Sequence, residues 1–217
     1  MNSKQNSRLL CPLCGSEAKY FARFRQSEYH RCSCCAGIFI DPQHLPDAAS
    51  ERGRYEEHNN DVNDPRYRKF VKPITKAIQR DFSATAAGLD FGAGTGPVIS
   101  QVLSEQQYQI AQYDPYFHPQ PQLLQQRYDY IVCCEVIEHF YQPRRDFVLL
   151  RQLLQPKGKL YCMTVLYRDE IDFENWFYVN DRTHVFFYSE QTLAWIVEHL
   201  GFDSVQISGR LITFSLK

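Results

Sequence analysis

The chain has 217 residues, a formal net charge of −1 and 44% hydrophobic residues. This length suits one α/β domain with a small appendage, and the near-neutral charge excludes a general basic field that would favour nucleic acid. No apolar run approaches the ~18 residues of a membrane-spanning helix, so we expect no membrane partner.

The polar N-terminal stretch, residues 1–8, lacks the apolar core of a secretory signal. Eight cysteines in such a chain indicate metal ligands and core thiols rather than disulfides. We therefore expect a cytoplasmic protein in which Cys133, Cys134 and Cys162 lie in buried strands.

Two cysteine pairs near the N-terminus share the spacing C-x2-C-x17-C-x2-C: Cys11, Cys14, Cys32 and Cys35. This spacing is typical of structural zinc sites, in which four thiolates leave no open position for catalysis. Cys34 is an alternative fourth ligand, but Cys35 keeps the two-residue spacing. Free reduced cysteines are the alternative to a metal site. Strand-like stretches at 18–25 and 28–31 complete a predicted zinc ribbon over residues 1–42.

Residues 43–80 are predicted to form a linker and a helical lid. Asp41-Pro42 and Pro46 mark the linker, and helices are expected over 51–60 and 65–77, the second interrupted at Pro73. These helices carry the aromatic residues Tyr55, His58, Tyr67 and Phe70. The alternative to a lid is a helix that only packs on the following domain.

A glycine loop at residues 89–96 is the most informative motif, because glycines let the backbone turn sharply against a ligand. It has no lysine, which a phosphate-binding P-loop requires. Its G-x-G-x-G pattern also differs from the dinucleotide fingerprint G-x-G-x-x-G. Asp114 follows the predicted second strand, Gln109–Tyr113, where a carboxylate can accept both ribose hydroxyls.

The other elements alternate between strands and helices, as in an α/β sheet. The predicted elements are strands over Ala87–Phe91, Tyr128–Cys134 and 160–166, helices over 97–104 and 144–154, and a Pro-x-Gly turn over 156–159.

With this order, the chain resembles the class I S-adenosylmethionine (SAM)-dependent methyltransferases over roughly residues 50–217. It is most similar to the branch of the ubiquinone-pathway O-methyltransferases, in which Glu-His follows strand 4 as Glu138-His139 does here. The resemblance implies a doubly wound Rossmann-like α/β domain over residues 81–217. It also implies these SAM-binding residues: Tyr55, Asp90, Phe91, Gly92, Ala93, Gly94, Gly96, Asp114, Pro115, Tyr116 and Glu135.

The family's strand 3 is expected to be reduced or absent. Only a short Pro/Gln-rich stretch separates Asp114 from the strand at 128, and its prolines at 115, 119 and 121 disfavour helix and strand. We expect Tyr116 and Phe117 to form a wall for the adenine instead.

Two histidines are candidate general bases, His139 after strand 4 and His184 in an aromatic segment. A structural role is the alternative for both, for example a hydrogen bond from His139 to backbone. Trp176, Phe177 and Tyr178 are predicted to line an acceptor pocket.

O- or N-methylation of a small molecule is the leading function. The Asp/Asn-Pro-Pro-Tyr/Phe motif of enzymes that methylate adenine or glutamine amino groups is replaced by residues 134–137, Cys-Glu-Val-Ile. One alternative is an RNA- or protein-directed methyltransferase that docks through basic residues of the ribbon. Another is a non-catalytic SAM-binding protein. The acceptor and the oligomeric state are left open.

Overall fold

A computed structural model describes residues 9–57 and 60–217 of the chain. The N-terminal stretch 1–8 and His58, which the sequence assigned to the lid, lie outside the described residues. The described part contains a small antiparallel sheet and a larger mixed sheet. Within it, no helix combines the length and apolarity needed to cross a membrane.

The small sheet contains three N-terminal strands and one strand from the C-terminal half. Strands β1 (Ala18–Phe24), β2 (Ser27–Cys32) and β3 (Ile38–Ile40) pair antiparallel, and the two-residue β8 (Phe186–Phe187) pairs with β3. The predicted ribbon strands are therefore present, and their sheet is completed by a distant part of the chain.

Helices α1 (Ala48–Glu56) and α2 (Pro65–Asp81) follow the ribbon, each capped by an aspartate at its N-terminus. The predicted interruption at Pro73 is wrong, because α2 runs through it. Proline removes one helical hydrogen bond, but α2 buries an apolar face around this position, and packing of such a face supplies most helix stability in proteins.

The C-terminal end of α2 is bonded to the large sheet by a partly buried carboxylate. Asp81 accepts hydrogen bonds from Lys159 Nζ at 2.9 Å and Tyr161 Oη at 2.7 Å. Burial opposes ionisation, yet these donors and Arg80 hold the pKa of Asp81 well below its usual range.

The large sheet has six strands in the order β5-β4-β6-β7-β10-β9, with β5, β4, β6 and β7 parallel and the last two antiparallel. Helices α2 and α3 pack on one face, and α4 and α5 on the other. The strands and helices not yet given are β4 (Ala87–Phe91), α3 (Val98–Ser104), β5 (Gln109–Tyr113), β6 (Tyr128–Cys134), α4 (Pro143–Leu153), β7 (Leu154–Met163), α5 (Glu190–Leu200), β9 (Ser204–Ser208) and β10 (Leu211–Ser215).

This architecture confirms the predicted α/β fold, including the reduced strand 3. Between β5 and β6, the described chain forms only the 3-10 helix Pro121–Gln125. The predicted turn at 156–159 is wrong, since β7 begins at Leu154 and ends at Met163. The register against β6 shifts in this region, and Lys157 has a φ of +63°, so the Pro-x-Gly segment forms an irregularity within the strand.

Candidate active site

The four predicted zinc ligands converge at one end of the small sheet. The Sγ atoms of Cys11 and Cys35 are 3.6 Å apart, those of Cys14 and Cys32 are 3.2 Å apart, and all four lie within 4.8 Å of one another. A tetrahedral zinc with Zn–S bonds of ~2.3 Å needs sulfurs about 3.8 Å apart. The cluster therefore fits zinc and leaves out Cys34, whose side chain is exposed.

A cavity of about 1220 Å³ lies at the carboxyl ends of β4, β5 and β6. Ligands bind at this edge in open α/β sheets. Most residues predicted to bind SAM or act as bases line it: Tyr55, Phe91, Gly92, Ala93, Gly94, Asp114, Pro115, Tyr116, Glu135, His139 and His184.

The glycine loop forms one end of this cavity. Gly92 and Gly94 have φ values of +79° and +63°, a region that favours glycine. A Cβ on Gly92 would come within 2.6 Å of a Val136 methyl group, whereas a Cβ on Gly94 would meet nothing within 4 Å. The loop is thus packed at Gly92 and open at Gly94.

Asp90 and Gly96 do not line the cavity. Asp90 is 4% exposed and accepts a hydrogen bond from Ser100 Oγ at 2.7 Å. Burial raises its pKa to about 6. A Cβ on Gly96 would overlap the carbonyl oxygen of Asn60. Asp90 therefore links the loop to α3 through Ser100, and Gly96 packs against the backbone of Asn60.

The Asp114 carboxylate organises the turn that follows β5. Its Oδ2 accepts from Gly94 N at 3.0 Å, and its Oδ1 accepts from Tyr116 N and Phe117 N at 2.8 and 3.0 Å. The Tyr116 hydroxyl in turn donates to Glu51 of α1 at 2.7 Å.

Helix α1 is held over the cavity through Glu51. Its other carboxylate oxygen accepts from Tyr55 Oη at 2.8 Å, and the Tyr55 and Tyr116 rings lie 6.0 Å apart. Tyr55, the lid residue predicted to touch the cofactor, thus lines the cavity beside Tyr116.

Glu135 marks the other side of the cavity, immediately after β6. Its φ of +53° is unusual for a residue with a side chain, and such strain is often found at functional sites. Its carboxylate accepts from Arg210 at 2.7 Å, and the Arg210 guanidinium lies 5.1 Å from the Phe70 ring centre. Burial raises the pKa of Glu135 despite this ion pair.

The deepest carboxylate in this region is Glu138, which is fully buried. It accepts a hydrogen bond from the Tyr178 hydroxyl, which also pairs with Thr164 Oγ1 at 2.9 Å. Burial, with a smaller contribution from Glu135, raises the pKa of Glu138 to about 8. One of its oxygens has no hydrogen-bond partner within the described residues.

Both candidate histidines are oriented by backbone carbonyls. His139 Nδ1 lies 2.8 Å from Thr183 O, and His184 Nδ1 lies 2.7 Å from Tyr178 O. A neutral ring that donates from Nδ1 carries its lone pair on Nε2. The two ring centres are 4.9 Å apart.

These side chains offer two kinds of chemistry. A histidine Nε2 with a lone pair can accept a proton from an acceptor group. Alternatively, Glu138, His139 and His184 bring one possible ligand atom each to within 4.8 Å of one another, a nitrogen and carboxylate set that can hold a transition metal.

The predicted aromatic pocket is present in part. Tyr178 and Phe177 line the cavity, and Phe177 is 63% exposed at its rim. Trp176 instead packs into a buried aromatic cluster with Phe173 and Phe187.

Sequence reasoning missed several charged residues of this region, among them Glu51, Glu138 and Arg210. Glu138 stands three positions after Glu135, and its place beside His139 was a usable signal. Arg210 lies on the hairpin between β9 and β10, and no motif links it to Glu135.

Two family profiles match the sequence. The profile of the methyltransferase domain family matches residues 59–207, which is more than half of the chain. The profile of a transcription-factor zinc-finger family matches residues 10–51. This family is a zinc ribbon, so the match confirms the predicted ribbon. No curated protein matches the chain.

Solved structures of similar fold include three methyltransferases. The Burkholderia thailandensis 1,6-didemethyltoxoflavin-N1-methyltransferase, with bound 1,6-didemethyltoxoflavin and S-adenosylhomocysteine, has a TM-score of 0.54 at 15% identity, and the alignment covers 93% of this chain and 100% of that protein. The magnesium protoporphyrin IX methyltransferase of Synechocystis PCC 6803, with SAM bound, has a TM-score of 0.52 at 15% identity, over 81% and 94%. An O-methyltransferase family protein from Burkholderia thailandensis has a TM-score of 0.51 at 14% identity, and the alignment covers 79% of this chain and 64% of that protein. At these identities the likeness establishes the fold.

Proposed function

The chain belongs to the methyltransferase domain family, and we propose that it transfers the methyl group of SAM to an oxygen or nitrogen of a small-molecule acceptor. One observation carries this proposal. A single cavity joins the glycine loop and Asp114 to the wall formed by His139 and His184. Its volume of about 1220 Å³ exceeds the ~300–1,000 Å³ of common ligand pockets, so donor and acceptor fit together.

The glycine-loop side is the better match for the cofactor. Open space at Gly94 allows close approach to backbone, and Asp114 offers carboxylate oxygens to ribose hydroxyls. Tyr116 and Phe117 place aromatic rings beside this carboxylate, as an adenine wall requires. When bound there, SAM supplies an electrophilic methyl group on a positively charged sulfur.

The opposite side is the better match for the acceptor. His139 and His184 are fixed by their Nδ1 contacts, so either Nε2 can take the acceptor's proton as its oxygen or nitrogen attacks the methyl carbon. Phe177 and Tyr178 add an aromatic surface that favours a compact, largely apolar acceptor. Alignment of the acceptor in this pocket contributes to the rate together with proton removal.

The charge of the cavity favours a small molecule over a nucleic acid. Five carboxylates belong to its lining: Glu51, Asp114, Glu135, Asp146 and Asp181. Arginines pair with three of them, Arg210 with Glu135, Arg145 with Asp146 and Arg54 with Asp181. The lining therefore has no surplus of positive charge that would attract phosphates. In the ribbon, Arg25 and Arg31 donate to Asn180 and Asp169 of the same chain, which reduces the basic surface left for RNA.

The test is a methyl-transfer screen with isotopically labelled SAM. The zinc-loaded full chain is incubated separately with a metabolite extract, total RNA and a protein extract, and each product is identified by mass. We expect label in the metabolite fraction. Label confined to RNA or protein would overturn the acceptor class, and failure to bind SAM in calorimetry would overturn the function itself.

Histidine variants test the assigned base once an acceptor is known. Loss of a general base costs roughly 10²–10⁴-fold in turnover, so His139→Ala or His184→Ala should show a loss of this size. His199→Ala is the matched control, because His199 lies on α5 and does not line the cavity. Wild-type turnover in both cavity variants would exclude histidine as the base.

A further inference from the structure

The last ribbon strand fixes the backbone next to His184. Strand β3 pairs with β8 in the register Ile38 to Phe187 and Phe39 to Phe186, and Ile40 N donates to Val185 O at 3.0 Å. Strand β8 begins two residues after His184. The ribbon therefore shares a hydrogen-bonded sheet with the segment that carries a candidate base.

The zinc-binding turn is bonded to the same region. The carbonyl of Cys35, a metal ligand, accepts from Thr192 Oγ1 at 2.9 Å, and the carbonyl of Cys34 accepts from Gln191 Nε2 at 2.8 Å. Both bonds span 157 residues of sequence and end in the first turn of α5. The position of the metal site and the position of this helix are thus linked.

Apolar packing completes the contact. Tyr29 and Ile38 of the ribbon share a buried cluster with Tyr178 and Phe187. At Gly37 the two parts touch so closely that a Cβ would overlap the Phe186 ring. Since the Tyr178 carbonyl orients His184, the ribbon packs against the wall that presents this histidine.

We propose that the zinc ribbon is a positioning element for the acceptor side of the cavity: its metal-held turn and β3 set the place of His184 and Tyr178. The term acceptor side rests on the proposed function. The glycine loop and Asp114 are built on β4 and β5 of the other sheet, so these two parts of the SAM side do not depend on this contact.

The first test is Gly37→Ala, which inserts a methyl group between the ribbon and Phe186 and leaves all four zinc-ligand side chains in place. Its matched control is Gly53→Ala, at an exposed position of α1 where a Cβ meets nothing within 4 Å. Three quantities are measured on the full chain: zinc content, SAM affinity by calorimetry, and amide hydrogen exchange of residues 183–192.

For Gly37→Ala we expect one zinc per chain, a SAM Kd within twofold of wild type, and at least tenfold faster exchange over 183–192. Wild-type amide exchange over residues 183–192 would overturn the proposal. A loss of SAM affinity by the same factor as the rise in exchange rate would also overturn it, because the SAM side would then be affected equally. Failure of wild type to bind SAM would reject the proposed function while leaving the exchange result to decide the coupling.

A second, gentler variant is Thr192→Val, which removes the hydroxyl that donates to Cys35 O but keeps the side-chain shape. Ser189→Ala is its control, because it weakens the same helix cap without touching the ribbon. We expect the His184 ring resonances to move in Thr192→Val and to return in Thr192→Ser. Equal shifts in Thr192→Val and Ser189→Ala would assign the effect to capping and overturn the coupling.

Discussion

Gly94→Ala gives the sharpest test of the cofactor side of the cavity. Gly94 has a left-handed backbone and open space where a Cβ would lie, and this space belongs to the cavity. The substitution therefore has two separable effects, a backbone strain on folding and a methyl group placed where the cofactor approaches the loop. Gly201→Ala carries the first effect without the second.

The strain is worked from the backbone angles. A residue with a Cβ in the left-handed region costs roughly 1–2 kcal/mol. Gly94 and Gly201 have φ values of +63° and +78°, and a Cβ on Gly201 would have only an ordinary contact, 3.6 Å from Arg151 Nε. For a chain of this size, 1 kcal/mol lowers the melting midpoint by about 2–4 °C. Both variants should therefore melt about 2–8 °C below wild type.

Calorimetric titration with SAM separates the two glycines. We expect Gly94→Ala to weaken SAM binding at least about tenfold, or ~1.4 kcal/mol, and Gly201→Ala to stay within twofold. Wild-type affinity in Gly94→Ala would mean that the cofactor does not approach this backbone. An equal loss of SAM affinity in both variants would mean that the loss comes from lower fold stability and not from a contact between the cofactor and Gly94.

Three further predictions concern ionisation and metal binding. Because burial raises the pKa of Glu138 to about 8, its ionised form costs free energy above that pH, and the cost fades as the pH falls toward its usual pKa. Glu138→Gln should therefore melt above wild type at pH 9 but not at pH 5, and equal differences at both pH values would contradict this. Asp81 has a lowered pKa, so it stabilises the fold above its unfolded pKa and loses that contribution as the pH falls below about 4. In urea denaturation, Asp81→Asn should lose about 2 kcal/mol at pH 7 and progressively less in acid, and a constant loss would refute the assignment. Elemental analysis should find one zinc per chain in wild type and Cys34→Ser but markedly less in Cys35→Ser, and the reverse order would make Cys34 the ligand.

Elements whose signals are local could be predicted from the sequence. The zinc ligands follow from cysteine spacing, and β4, β5 and β6 have the predicted bounds because each is a short segment that ends next to a turn or glycine loop. The absence of strand 3 followed from prolines, whose effect on backbone geometry is intrinsic.

The errors have tertiary causes. Pro73 lies within α2 because burial of neighbouring side chains outweighs one missing hydrogen bond. The Pro-x-Gly segment near Lys157 continues β7 because pairing with β6 can absorb an irregularity. The two-residue strand β8 has no sequence signature of its own, since its partner β3 is distant in the chain.

The same limit applies within the candidate site. Sequence order brought Asp90 and Gly94 to one loop, but only the packing of α3 shows that Asp90 faces Ser100 while Gly94 faces the cavity. Similarly, the pairing of Glu135 with Arg210 depends on how the last hairpin folds back onto β7.

Asp114 takes on part of the role that a third strand would have. Without that strand, β5 lies at the edge of the sheet, and the chain closes on itself through reciprocal backbone bonds between Asp114 and His118. One carboxylate then holds three backbone amides, those of Gly94, Tyr116 and Phe117. The glycine loop and the aromatic turn therefore share a single anchor. Because that anchor is also the carboxylate that we propose binds a ribose, the shortened segment would keep the cofactor side of the cavity together with fewer residues than a strand would need.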